Sequence, residues 1–259
     1  MHINKLLSLK DKVAVVVGGA GKIGFPMAEA LAEAGALVYI ASSRKDGYEK
    51  ALQKLSGAGL KARGIRLDMS DEKSVLQALK TIKQDSKIPD ILINSGSNRP
   101  MRKFMEDSVE NWDLSMSVNA RGIFVTCRAF ANIMSEQGSG SIINVSSIYG
   151  IVAPDMNIYE GSNFETEPDY PFIKGGAIMF SKYLASYYAN HGVRVNCIAP
   201  GGFFNNQPEP FLTKYTDKVL LGRMACHDDM KGAALFLASK ASDYITGHVL
   251  PVDGGWTIT

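Results

Sequence analysis

Short β-rich runs alternate with longer helical patterns along almost the whole chain, and that alternation leaves few folds open. Candidate strands lie at 13–17, 37–41, 62–67, 91–94, 141–145, 194–198 and 249–252. Helical patterns fall between them at 23–34, 48–55, 72–83, 110–136 and 172–190, with a last one at 228–238. Strand runs this apolar predict burial on both faces, as in a parallel sheet covered by helices. The expectation is one doubly wound α/β domain over residues 1–259 with a seven-stranded parallel sheet, and ligands bound at the carboxyl ends of the strands.

Bulk properties exclude several function classes. A hydrophobic fraction of 46% with 21% charged residues predicts a soluble protein with a sizeable core. A net charge of +2 gives no electrostatic case for nucleic acid or for an acidic membrane surface. Apolar stretches such as Val13 to Val17 are too short to span a bilayer, and the N-terminus lacks the apolar core of a signal peptide. Cys127, Cys197 and Cys226 are widely spaced without a CxxC pair. They are expected as buried reduced thiols of a cytoplasmic protein, with no disulfide and no metal site.

Gly18-Gly19-Ala20-Gly21-Lys22-Ile23-Gly24 follows the first apolar strand and opens the first long helix. Glycines there allow a tight turn and close approach of a pyrophosphate, and the helix N-terminus supplies unpaired N–H donors. A Rossmann-type dinucleotide site is expected. At the end of the second strand an acidic residue would hold the ribose of NAD. This chain has Ala41-Ser42-Ser43-Arg44-Lys45 there, with no carboxylate until Asp46. Serine hydroxyls and an arginine fork suit a 2′-phosphate, and Lys22 could add a second cation. NADP is expected, with NAD the alternative.

Tyr170 and Lys174 are spaced by four residues, which puts both side chains on one helix face about one turn apart. An ammonium there favours ionisation of a phenol whose ordinary pKa is ~10. With the glycine turn and the serine pair Ser146-Ser147 closing a strand, the pattern describes a carbonyl–alcohol redox site beside a nicotinamide.

These residues resemble the short-chain dehydrogenase/reductase family along nearly the whole chain. The landmarks appear in order: the glycine turn, Asp68 with Met69, Asn94-Ser95-Gly96, Asn119, Ser147, Tyr170 with Lys174, Pro200-Gly201 and the tail Asp253-Gly254-Gly255. The resemblance implies that Asp68 and Met69 sit at the adenine and that Asn94, Ser95 and Gly96 line the cofactor. Pro200 and Gly201 would lie by the nicotinamide. The catalytic four would be Asn119, Ser147, Tyr170 and Lys174. In that scheme Tyr170 exchanges a proton with the substrate oxygen and Ser147 holds that oxygen. Lys174 lowers the tyrosine pKa and binds the nicotinamide ribose, and Asn119 carries a water that connects Lys174 to solvent.

Three departures stand out. Lys22 occupies a position that is glycine in simpler members, and Asn205 stands where a threonine often follows Pro-Gly. The distance from Ser147 to Tyr170 is longer than usual, which makes Tyr159 a rival. Asn163 lies four residues beyond Tyr159 and supplies no cation, so the lysine position favours Tyr170.

Two segments break the alternation. Residues 149–169 carry Asp155, Glu160, Glu165, Glu167 and Asp169; residues 201–216 are rich in Gly, Asn and Pro, with Phe203, Phe204 and Phe211. Both are expected as substrate loops. The acidic one suits a substrate with many hydroxyls, and Ile158-Tyr159-Glu160-Gly161 looks like the run in gluconate 5-dehydrogenase-like members that act on sugars or sugar acids. Arg99, Arg102 and Lys103 are candidate anchors for a substrate carboxylate or phosphate. Reduction of an acyl-thioester ketone fits the acidic loop poorly, and a redox-silent dinucleotide sensor would be expected to lack Tyr170 or Lys174. The helix patterns at 110–136 and 172–190 carry more apolar positions than one buried face needs, which predicts a homo-oligomer, a tetramer or a dimer.

Overall fold

The computed structural model describes residues 1–44 and 46–259; Lys45, which follows Arg44 after the second strand, lies outside the described residues. Seven parallel strands form one sheet in the order β3-β2-β1-β4-β5-β6-β7. They are β1 (Val13–Val17), β2 (Leu37–Ser42), β3 (Ala62–Arg66), β4 (Ile91–Asn94), β5 (Gly140–Val145), β6 (Val193–Pro200) and β7 (Val249–Val252). The order reverses between β1 and β4, where Val17 pairs with Asn94, and this is the crevice where such sheets bind ligands. The expected strands all form, but burial on both faces holds only for the middle ones. At the two edges the apolar pattern thins: β3 and β7 are mostly half-exposed.

Nine helices surround the sheet among the described residues: α1 (Ile3–Leu7), α2 (Gly24–Glu33), α3 (Asp46–Gly57), α4 (Glu72–Asp85), α5 (Val109–Ser115), α6 (Arg121–Gln137), α7 (Asp169–Tyr187), α8 (Phe211–Thr216) and α9 (Asp229–Ala238). Alternation along β1 divides the core. Val13, Val15 and Val17 pack with Val75 of α4, Phe130 of α6 and Ala177 of α7. Ala14 and Val16 pack on the other face with Leu31 of α2, Leu55 of α3 and Leu237 of α9. A polar ladder threads the first layer: Asn94 Nδ2 donates to Asn144 Oδ1 at 2.8 Å, and Asn144 Nδ2 donates to Ser181 Oγ on α7 at 2.7 Å. All three side chains are buried, so the ladder fixes α7 against β4 and β5.

The helix expected at 110–136 is interrupted. Between α5 and α6 the chain makes a π turn over Met116–Ala120, which inserts a wider turn and contains Asn119. A continuous apolar period does not reveal such an insertion.

The segments expected as loops build a third apolar cluster at the carboxyl ends of the strands. Ile148, Tyr149 and Ile158 from 149–169 and its approach pack on Phe211 and Tyr215 of α8 and on Trp256. Short 3-10 turns form at Ile148–Gly150 and Met156–Tyr159. Residues 201–216 are accordingly part helix, and Phe211 is buried while Phe204 stays exposed.

Candidate active site

The carboxyl ends of β4, β5 and β6, the glycine turn and the third apolar cluster enclose a cleft of about 770 Å³. On its cofactor side the glycine turn packs directly on the loop after β4. Gly18 has φ +72°, and a Cβ there would stand 2.6 Å from the Gly96 backbone nitrogen. Glycine is the residue that fits. Lys22, Ile23, Ser95, Pro200 and Gly201 line the cleft, while Gly21 and Gly24 form the turn and the start of α2. Lys22 Nζ hydrogen-bonds Asn205 Oδ1, so the two departures from the family pattern contact each other across the cleft.

Ser42, Ser43 and Arg44 end β2 at the surface. Arg44 is exposed, with Asp46 Oδ1 at 3.9 Å from its Nε, a loose pair that leaves the guanidinium open to a ligand. Asp68 accepts from Ser70 N at 2.9 Å and from Ser70 Oγ at 2.6 Å, and Met69 is buried against Gly96 and Gly122. The Asn94 side chain is spent inside the fold on Asn144 and Cys127, not on the cleft.

Tyr170 lies in the first turn of α7, where Pro171 is tolerated because the first N–H groups of a helix lack partners. Lys174 sits one turn on, buried, with Nζ donating to Val145 O at 2.9 Å and standing 5.5 Å from the Tyr170 ring centroid. The two elements meet at Gly150, where an added Cβ would lie 2.7 Å from the Lys174 carbonyl. Burial alone would raise the Tyr170 pKa, but the charges of Lys174 and Arg99 outweigh it and hold the phenol below its ordinary value. Ser147 adds to that lowering, and its Oγ accepts from Tyr149 N at 3.2 Å. Burial also lowers the Lys174 pKa, with the Tyr170 charge opposing it.

Tyr159 shares the cleft but not this environment. Burial raises its pKa, and its hydroxyl lies 2.9 Å from that of Tyr149. The two tyrosines separate electrostatically, as the lysine spacing implies.

The Asn119 side chain is engaged within the protein. Its Oδ1 accepts from Asn98 N at 2.9 Å, and its Nδ2 donates to Asn98 O at 2.7 Å and to Ser115 Oγ at 3.0 Å. Ser115 Oγ in turn donates to Asp169 Oδ2. Asn119 therefore braces the loop after β4, and Asp169 is a buried residue of α7 with no part in an acidic lid.

The remaining carboxylates of the insertion also have partners inside the protein. Asp155 pairs with Lys218, and Glu160 with Lys214 at 3.5 Å. Glu165 accepts from Phe104 N at 3.0 Å, and Glu167 lies 3.9 Å from Arg99. Of the five carboxylates in the segment expected as a substrate loop, Glu165 and Glu167 face the cleft and Asp155, Glu160 and Asp169 do not. Sequence reading treated Arg99 as one of three candidate substrate anchors. Its guanidinium lies 4.0 Å over the Tyr170 ring centroid.

A family model described as "Enoyl-(Acyl carrier protein) reductase" matches residues 18–257. A 2,5-dichloro-2,5-cyclohexadiene-1,4-diol dehydrogenase of Sphingobium indicum is 33% identical over 254 residues, covering 96% of this chain and 98% of its own. Gluconate 5-dehydrogenase of Gluconobacter oxydans is 31% identical, with 98% of each chain covered. The chain belongs to the short-chain dehydrogenase/reductase family. A solved gluconate 5-dehydrogenase of Burkholderia cenocepacia, in complex with NADP and tartrate, superposes with a TM-score of 0.90 at 28% identity over 100% of both chains. As a short-chain dehydrogenase/reductase, this protein is an NAD(P)-dependent oxidoreductase acting on CH–OH groups. The glycine turn fits that cofactor, because the closed approach of Gly18 and Gly96 leaves bare backbone where a pyrophosphate must come near.

Proposed function

We propose that the protein interconverts a secondary alcohol and a ketone on a sugar, polyol or sugar acid, with Tyr170 as proton donor and acceptor. The observation that carries this is the wall above Tyr170. Beside the aromatic rings of Tyr149, Tyr159, Phe164 and Phe211 it carries charged and amide side chains: Arg99, Arg102, Lys103, Glu165, Glu167 and Gln207 face the cleft. A polyhydroxylated chain can add hydrogen bonds to such groups, whereas an apolar ketone would displace their water and offer almost nothing in return. The wall's cations suit the carboxylate of a sugar acid, and its carboxylates suit hydroxyls.

A bound nicotinamide supplies or takes the hydride. The protein's part is geometry and charge. Tyr170 gives its proton to the carbonyl oxygen in reduction, or as phenolate removes the hydroxyl proton in oxidation. Ser147 holds that oxygen by hydrogen bonding. Lys174 keeps the phenol acidic and would bind the cofactor ribose. Gly18, Gly21, Lys22, Ile23 and Gly24 would take the pyrophosphate side, and Asp68 and Met69 the adenine. Ser95, Gly96, Pro200 and Gly201 would take the nicotinamide side. The test is a kcat/KM panel: sugar acids and polyols should exceed apolar cyclic alcohols and acyl-thioester ketones. Preference for an apolar or thioester substrate would defeat the reading.

NADP is the proposed cofactor of choice, on the exposed Arg44 and the two serines before it. Removing a charge-assisted bond to the 2′-phosphate costs ~1.5–3 kcal/mol. Arg44→Ala should weaken NADP binding tenfold or more, by the factor of ten per ~1.4 kcal/mol, and leave NAD binding nearly unchanged. Fluorescence titration with both cofactors checks this, and equal losses for the two would contradict it.

The same reading makes the protein one catalytic domain over 1–259 and a cytoplasmic homo-oligomer, a tetramer or a dimer. Cys127 and Cys197 are buried, with thiol pKa values pushed up by burial to about 12 and about 11, and suit a reducing compartment; Cys226, expected buried, is exposed beside the start of α9. Among the described residues, no helix is long and apolar enough to cross a membrane. For assembly the support is an uncovered face on α7, where Phe172, Met179, Tyr183 and Tyr187 are 62%, 63%, 59% and 62% exposed. Such a patch in water favours a partner. Light scattering should give a multiple of 28.1 kDa, and a monomer at micromolar concentration would refute it.

A further inference from the structure

Arg99 stands on a built perch. Its preceding residue, Asn98, is gripped at both backbone N and O by the Asn119 amide, at 2.9 and 2.7 Å. Pro100 follows and restricts the backbone of Arg99 itself. The guanidinium then lies 4.0 Å over the Tyr170 ring, with Glu167 Oε2 3.9 Å from its Nη1. We propose that Arg99 is a second cation acting on the Tyr170 phenol, held there by the Asn119 grip and by Glu167. The protein would then set two positive charges on its acid–base group, where the family landmarks provide one in Lys174. This rests on Tyr170 being that group.

The physical case is one of sign. A cation over an aromatic face attracts the neutral ring weakly through its quadrupole, and an ionised ring much more strongly. The net effect favours phenolate. Of the other groups that face Tyr170, Lys174 alone is a cation, and its influence on the phenol is the larger of the two. Lys174 lies 5.5 Å from the ring centroid along α7, and Ser147 is neutral. Tyr149, Tyr159 and Tyr215 surround the phenol, and burial pushes all three upward in pKa, Tyr215 to about 12, so they stay neutral. Glu167 is the carboxylate facing this group, and it opposes Arg99 only across a loose 3.9 Å gap. Arg99 is also raised in pKa: burial lowers it, but the charges of Tyr170 and Glu167 outweigh that, which is the reciprocal of its action on the phenol. The conformation of the loop after β4 thereby bears on proton transfer. Asn119, which does not touch the reacting oxygen, becomes a positioning residue acting through Arg99.

Tyrosinate absorbance titrated in wild type and in Tyr170→Phe, each with and without Arg99→Gln, tests this without any substrate. The wild-type minus Tyr170→Phe difference isolates Tyr170. Arg99→Gln should raise its midpoint by about one pH unit, a half-exposed cation acting at the short end of the 1–3 unit range for adjacent charges. Arg99→Lys should fall between, since it keeps the charge but loses the flat fork over the ring. The rising limb of kcat/KM for alcohol oxidation should move upward by the same amount. A Tyr170 midpoint unchanged in Arg99→Gln overturns the proposal, even if KM rises, because Arg99 would then serve the substrate alone. If instead Tyr170→Phe keeps turnover, the acid–base assignment fails, whatever Arg99 does to the titration.

Discussion

Tyr170→Phe should lose turnover by about 10²–10⁴-fold, the range typical of a removed general acid–base group, while cofactor affinity stays close to wild type. The substitution deletes one oxygen and keeps the ring between Arg99 and Tyr149. Packing is therefore preserved and the loss is chemical. Tyr159→Phe is the control that makes this specific. Its hydroxyl meets that of Tyr149 at 2.9 Å, and it has no cation of its own within one helical turn. Losing that bond should cost about 1 kcal/mol of stability and change turnover little. Reversal of the two phenotypes would place the acid–base group on the insertion and not on α7.

Lys174→Met should remove most of the remaining activity by a different route. Methionine has nearly the length of lysine and is at home in a buried site, so α7 keeps its position. The ammonium that favours the Tyr170 phenolate is gone, and the Tyr170 titration should shift upward. We expect turnover to fall at least about a hundredfold, within the range for general acid–base catalysis. Stability should change less, because two effects oppose. Removing a buried ammonium relieves its desolvation, whereas the Val145 carbonyl loses the donor it now holds at 2.9 Å. Steady-state kinetics and a thermal melt on the same preparation separate the effects. Near-normal turnover with a normal melt would contradict the role given to Lys174.

The sheet was legible because its information is local. A run such as Val13 to Val17 carries both its strand propensity and, by alternation, the division of the core into two layers. Tyr170 and Lys174 were legible for the same reason, since one helical turn joins them. What sequence could not show were contacts made across the fold. Nothing near Arg99 in the chain indicates a phenol beneath it, because Tyr170 arrives from α7 and the grip on Asn98 arrives from a π turn. That π turn is itself hidden, since one wider turn within apolar periodicity leaves no mark in composition. The acidic insertion misled for a related reason. Its carboxylates look unpartnered in sequence, yet Lys214 and Lys218 reach Glu160 and Asp155 from the far segment around α8. Only the folded chain shows that Glu165 and Glu167 alone of that group face the cleft.

The central claim is that this cleft moves a hydride between a nicotinamide and a carbinol carbon of a polyhydroxylated substrate, with Tyr170 handling the proton. Its most direct test uses NADPH deuterated on the transferring carbon of the nicotinamide. The protein would be incubated with the keto form of its best sugar-acid or polyol substrate and the product examined by mass spectrometry. One deuterium on the new carbinol carbon, formed by wild type and not by Tyr170→Phe, is the predicted result. Product without label, or label formed equally fast by Tyr170→Phe, would contradict it.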